Sequence, residues 1–319
     1  MPRFLATLLT VLFALPLAAA AAPPSDKPNS VNLPSPFGPE DTLGAINNLS
    51  PAKVLAAARL IKTGKTYALG VPTGPETPAY GPRGYKLTVT QLSDGTGTPM
   101  GSNRATGNDD LVYAWMGVGS QIDGLGHMGV DHVYYNNTHA SEFVTTQALL
   151  KFGIDTLPPI VTRGVLLDMT QHYGVSPLPE GTAFNQKEIE AVARKRGIDL
   201  EKGDVVLFHT GWLDLAESDP ARFMSGQPGL GLGGARYLAK LGVVAVGADT
   251  WALEALPSED PATAFPVHPE LLARHGVYIL ENMDTRALAA DGVSEFLFVL
   301  GAPRFVGTVQ AVINPVAIR

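Results

Sequence analysis

Residues 117–127 read GVGSQIDGLGH, and the reading of this run decides the fold. If the run is extended, alternation places Gly117, Gly119, Gln121 and Asp123 on one face and Val118, Ser120 and Ile122 on the other. Gly124 and Gly126 let the chain double back, so that His127 approaches the space in front of Gln121 and Asp123. Asp123 and His127 alone fit a metal and proton-transfer site. They fit equally an Asx turn beside a surface histidine.

Further along the chain, residues 267–282 read VHPELLARHGVYILEN. His268 starts a helix and Glu281 ends the strand that follows. A helix start and a strand end meet when an α/β unit folds back on itself. One imidazole and two carboxylates, Asp123, His268 and Glu281, make a donor set suited to Zn²⁺ or Mn²⁺. Such an ion polarises a carbonyl and lowers the pKa of a bound water.

These residues are where the chain resembles a known family. It is similar to the cyclase family of metal-dependent hydrolases, which includes kynurenine formamidase and isatin hydrolase and whose motif is H-x-G-T-H-x-D-x-x-x-H. The likeness continues through FGPEDTLGAINNLSPAKVLAAARLIKTGK from Phe37, RGVLLDM from Arg163, GDVVLFHTGW from Gly203, HPELLARHGVYILEN from His268 and INPVAI near the end. It implies a single α/β domain with a mixed, strongly curved sheet of the swivelling β/β/α type, flanked by helices. Carried over position by position, it implies metal ligation by Asp123, His268 and Glu281, with His127 as general acid/base. Gln121 is then left to orient the substrate carbonyl or complete the metal shell.

The departures from the motif are as informative. Gly117 and Gln121 stand where the family has its two metal-binding histidines, and glycine offers no ligand while an amide is a weak one. Members commonly hold two metals; here about one per chain, Zn or Mn, is expected. His209, in LFHTGW where other members have arginine, is either a replacement ligand or a hydrogen-bonded strand end. His132 and His139 read as pocket wall or surface, and Asp249 and Trp251 as turn chemistry and packing.

Composition narrows the setting. Arg3, an apolar run over residues 4–17 and alanines at 18–22 form a secretory signal peptide, cut after Ala20. Residues 21–36 then read as a flexible leader and 37–319 as the hydrolase domain, about 280 residues in one α/β unit. The product is expected in the periplasm or secreted. With no cysteine, neither disulfides nor thiolate ligands are available. A net charge of −7 without Lys/Arg clusters argues against nucleic acid or an anionic membrane as partner. A small-molecule substrate remains, and the resemblance adds a possible homo-oligomer.

Ser50 before Pro51 starts a helix expected to run to Gly64, and Asn185 with Glu188 starts one expected to stop at Gly197. Strand 205–209 follows. Helix and strand pairs come next at 234–241 with 243–247, and at 269–275 with 277–281. Apolar runs at 296–300 and 306–313 are further strands, and residues 72–110 are a long loop or short hairpins. The function expected from all this is hydrolysis of a small amide, lactam, lactone or ester, of arylformamidase type. A metal-independent acid/base enzyme using His127 and Asp123, and a non-catalytic binder of a small ligand, are the alternatives.

Overall fold

The computed structural model describes residues 31–91 and 98–319. The expected signal peptide and the expected leader as far as residue 30 lie outside the described residues. Residues 31–36, placed in the leader by composition, are instead seated on the domain. Leu33 is buried with Val133 and Ala273, and its N–H donates to Asn137 Oδ1 at 2.5 Å. Residues from Val31 to Arg319 cluster as one compact unit.

The centre is a curled, mixed, nine-stranded sheet. Its strands are β1 (Thr66–Ala68), β4 (Gln121–Asp123), β5 (Ile160–Asp168), β6 (Val205–His209), β7 (Ala245–Ala248), β8 (Tyr278–Glu281), β9 (Glu295–Leu300), β10 (Gln310–Val312) and β11 (Val316–Ile318). β2 (Tyr85–Gln91) and β3 (Asn108–Ala114) form a separate hairpin within the stretch expected to be loop or hairpins. The spatial order is β1-β11-β9-β5-β6-β7-β8-β4-β10. From β5 to β8 the strands are parallel, and every other neighbouring pair is antiparallel.

The parallel centre follows from local sequence. VVLFH, AVGA and YILE are buried along their whole length, as strands covered on both faces require. Each parallel step crosses over through helix: α2 (Gln186–Arg196), α3 (Leu232–Leu241), and a turn of α-helix at Val267–Pro269 that widens into a π-helix at Glu270–Arg274. Glu188 Oε2 accepts from Asn185 N at 3.0 Å, and Gly197 ends α2 at φ +67°, where a side chain would strain the backbone.

Two elements are shorter than expected. α1 (Pro51–Ala58) is capped by Ser50 but stops well before Gly64, because the N–H groups of Thr63 and Gly64 bond to the Arg319 carbonyl at the edge of the sheet. The run 306–313 keeps only β10 as strand. Gly307 sits at φ +72° and donates to Asp155 Oδ1, which turns the chain before Gln310.

Candidate metal centre

β4 lies between β8 and β10, antiparallel to both. Its register sets Gln121 opposite Glu281, and Asp123 opposite both Ile279 and Gln310. Directly opposed side chains on one face approach within about 5 Å at Cβ. Gln121 Nε2 donates to Glu281 Oε2 at 2.6 Å and lies 3.4 Å from Asp123 Oδ1, to which Gln310 Nε2 also donates at 2.7 Å. One oxygen of each carboxylate is thereby tied down. The others, Asp123 Oδ2 and Glu281 Oε1, are buried without a hydrogen-bond partner, as is Gln121 Oε1.

His268 faces this pair, with Nε2 3.2 Å from Glu281 Oε1 and 3.5 Å from Asp123 Oδ2. Its orientation is set from behind by Glu254, which is 1% exposed. Glu254 Oε1 bonds His268 Nδ1 at 2.5 Å and accepts from His268 N, while Oε2 accepts from Val267 N. A carboxylate on one imidazole nitrogen fixes the other as the ligating atom. His127 approaches from the cavity side, Nε2 3.9 Å from Asp123 Oδ2, and it is the least buried of the group. Asp123, His127 and His268 place their ligand atoms within 4.8 Å of one another.

Two buried carboxyl groups whose free oxygens converge on an imidazole nitrogen are the donor chemistry of a divalent-ion site. The donor set fits a divalent ion. Ligand atoms around a tetrahedral ion at about 2.1 Å stand ~3.4 Å apart. The His268–Glu281 and His268–Asp123 separations match that spacing, and His127 at 3.9 Å lies outside it. Asp123, His268 and Glu281 are thus spaced as ligands of such an ion would be, with His127 beside them at the slightly longer distance.

Three expectations change. His209 is not part of this centre: its Nδ1 contacts Thr285 Oγ1 at 2.8 Å and Asp249 Oδ2 at 3.3 Å, and Asp249 also caps the backbone of Thr210 and Gly211. Gln121 is buried behind the cavity wall, where its amide donates to Glu281 and lies 3.4 Å from Asp123, while its Oε1 has no hydrogen-bond partner and stays available to a metal shell. The extended run reaches back only to Gln121, since Gly119 lies at φ +71°. His132 and His139 lie beside each other in their loop, and His139 caps the short helix Ala140–Phe143.

The centre opens into a cavity of about 210 Å³ whose walls include Tyr80, Arg83, Met128, Trp251 and Phe265. Tyr80 stacks on Trp251 with centroids 5.4 Å apart, and Phe265 meets Tyr80 edge-on. A larger cavity of about 630 Å³, between the 71–78 loop and Phe223, contains none of these groups. Sequence reading missed Glu254, Gln310 and Arg83. Of these only Gln310 left a signal, as a polar residue inside the apolar run VQAVI.

The charges are strongly coupled. Burial pushes the Asp123 carboxyl up, but the charge of His127, the close contact and charge of His268 and the bond from Gln310 outweigh it and hold it down at about 2. Burial, and then the Asp123 charge, raise Glu281 to about 8. Burial pulls His268 down, and its contacts with Asp123, Glu254 and Glu281 carry it well above 6.5. Burial lowers His127 against the pull of Asp123.

These shifts set how the chain behaves once stripped of divalent ions by a chelator. Glu281 keeps its proton to about pH 8 when folded and releases it near 4.5 when unfolded, so unfolding releases a proton between those values and rising pH destabilises the fold. His268 acts in the same sense above 6.5. His127 acts oppositely, but only below 6.5. The melting temperature of the stripped protein should therefore fall from pH 6.5 to 8, and added Zn²⁺ or Mn²⁺ should reverse the fall. A rising melting temperature over that interval would show that the charges are arranged otherwise.

Comparison with known proteins agrees with this architecture. The Cyclase family model matches residues 67–255. A crystal structure described as a novel cyclase is 28% identical, with a TM-score of 0.81 over 90% of this chain and 100% of its own. Isatin hydrolase A from Ralstonia solanacearum is 17% identical, with a TM-score of 0.62 over 85% of this chain and 98% of its own. An isatin hydrolase bound to the product analogue thioisatinate is 15% identical, with a TM-score of 0.59 over 84% and 98%. No curated protein matches the chain. With more than half of its length matched and the nine-stranded sheet in place, the chain belongs to the cyclase family.

Proposed function

We propose that this chain is a metal-dependent hydrolase that opens an amide, lactam, lactone or ester bond in a small substrate. The observation that carries the reading is the convergence of two unpartnered buried oxygens, Asp123 Oδ2 and Glu281 Oε1, on His268 Nε2 beside a cavity that His127 enters. Asp123, Glu281 and His268 would hold one Zn²⁺ or Mn²⁺. When bound, that ion supplies Lewis acidity to a carbonyl and makes water a better nucleophile at neutral pH. His127 Nε2 takes the proton of the attacking water and returns it to the departing nitrogen or oxygen. Its lowered pKa keeps the ring neutral and able to accept. The cavity is smaller than the roughly 300–1,000 Å³ of drug-sized ligand sites, so the substrate is small.

The isatin hydrolases share the fold, and a bound product analogue in one of them supports a small cyclic amide or its arylformamide counterpart as substrate here. A metal-free enzyme using Asp123 and His127 as a base pair is less well supported, since their 3.9 Å separation is too long for a hydrogen bond. Elemental analysis of the purified chain, followed by hydrolysis assays on formamides, lactams, lactones and esters with and without chelator, tests the reading. About one divalent ion per chain and chelator-sensitive turnover are expected. Turnover that survives complete metal removal would overturn it. We further propose that the apolar N-terminal segment directs export, so that the activity lies outside the cytoplasm; a mature chain retaining Met1 would count against that. Among the described residues, no helix is long and apolar enough to cross a membrane.

A further inference from the structure

Among the described residues, Arg83 lacks the carboxylate partner that holds several other arginines of the domain. Arg163 forks onto Asp204 and reaches Glu295, Arg286 holds Asp284, and Arg236 holds Glu270. The side chain of Arg83, half-buried in the cavity wall with His127 and Glu281, makes one protein hydrogen bond among the described residues, from Nη1 to the Gly117 carbonyl at 3.2 Å. A guanidinium carries five donors in a planar fork suited to a carboxylate. Here that fork is anchored at one corner by backbone and has no carboxylate partner of its own among the described residues.

Gly117 is what admits it. A Cβ at that position would lie 2.5 Å from Arg83 Nη1 and 3.0 Å from the Gln310 side chain. The motif position that has lost its histidine is therefore the one against which the guanidinium packs. In the same cavity, the stacked pair Tyr80–Trp251 and Phe265, edge-on to Tyr80, present aromatic surface. A cavity of about 210 Å³ with aromatic walls and one free guanidinium selects for a single flat ring bearing an anion.

We propose that Arg83 is the anion-recognition residue of this cavity and that the substrate is a small aromatic carboxylic acid, its carboxylate on the Arg83 fork and its ring against Tyr80 and Trp251. The proposal deepens the hydrolase reading and borrows from it only the bond that is cleaved. It is tested by binding without turnover, so it and the hydrolase reading can fail separately.

The experiment titrates Zn²⁺-loaded wild type with benzoate and with its neutral isostere benzamide, following tryptophan fluorescence, and repeats both titrations on Arg83→Gln and Arg83→Lys. Wild type should prefer benzoate by about 10- to 100-fold, the range for hydrogen bonds to a charged group. Arg83→Gln should bring the two ligands within about threefold, with benzamide affinity and zinc content unchanged. Arg83→Lys should recover part of the preference. A wild type that binds benzamide as tightly as benzoate would overturn the proposal. So would an Arg83→Gln variant that keeps the preference, since the ion alone would then recognise the anion. If Arg83→Gln loses benzamide as well, the lysine variant decides: a restored preference for benzoate supports the proposal and its absence ends it.

Discussion

Replacement of His268 by alanine is expected to leave the purified chain without its divalent ion and without measurable turnover, the largest effect available from one substitution. A three-ligand site reduced to two carboxylates binds weakly, and metal content should fall from about one per chain to a small fraction of that. Losing the imidazole also strands two buried carboxyls. Breaking a buried ion pair from one side costs about 3–5 kcal/mol, offset here by Glu281 taking up a proton. Because His268→Ala also weakens the fold, Glu254→Gln is the sharper probe: it keeps the volume behind His268 and removes the charge that orients Nδ1, together with one of the two acceptor oxygens. A roughly 10- to 100-fold loss of metal affinity with a cooperative unfolding transition retained is expected, as for other carboxylates that back a ligating imidazole. Elemental analysis and metal titration read both variants. Two ions per wild-type chain, or full metal occupancy in His268→Ala, would overturn the single-site assignment.

The second large effect belongs to His127. Its ring reaches the centre from the cavity side and stands 3.9 Å from Asp123 Oδ2, wider than the contacts made by His268. His127→Ala should therefore retain the ion while lowering kcat by about 10²–10⁴, the usual contribution of a positioned general acid/base. KM should change little, since the aromatic walls and Arg83 remain. Loss of metal together with activity would instead make His127 a fourth ligand, and unchanged turnover would remove it from the reaction.

Much of this was legible in the sequence, for reasons that differ by element. The parallel strands were readable because each is buried on both faces and so forms an unbroken apolar run, and α2 because Asn185, Glu188 and Gly197 mark its ends. That Asp123, Glu281 and His268 come together in space was readable because a helix start and the following strand end meet in an α/β unit, beside the run that carries Asp123. Glu254 was not. Nothing in ALEAL distinguishes its glutamate from a solvated one, and its role exists only where that loop meets the start of the helix at Val267. Arg83 was hidden in a stretch without period, and its relation to Gly117 is a contact across space that no local pattern encodes. His209 misled for the opposite reason. A strand end was correctly placed, but its ring is held by Thr285 and Asp249.

The centre is also a matter of counting. Gln121 and Asp123 face Glu281 and Gln310 because β4 meets β8 and β10 in one particular register. Point substitutions at Gly117 or Gln121 alter one group and leave the rest standing, so a lineage can trade ligands there singly. A length change of one residue in β4 is another kind of event, since it presents Ile122 where the two polar side chains had been. Insertions and deletions should therefore be rare in β4, β8 and β10 among descendants of this gene and common at the tip of the β2–β3 hairpin. What is inherited at the centre is a reading frame in three dimensions, open to respelling and closed to shifts.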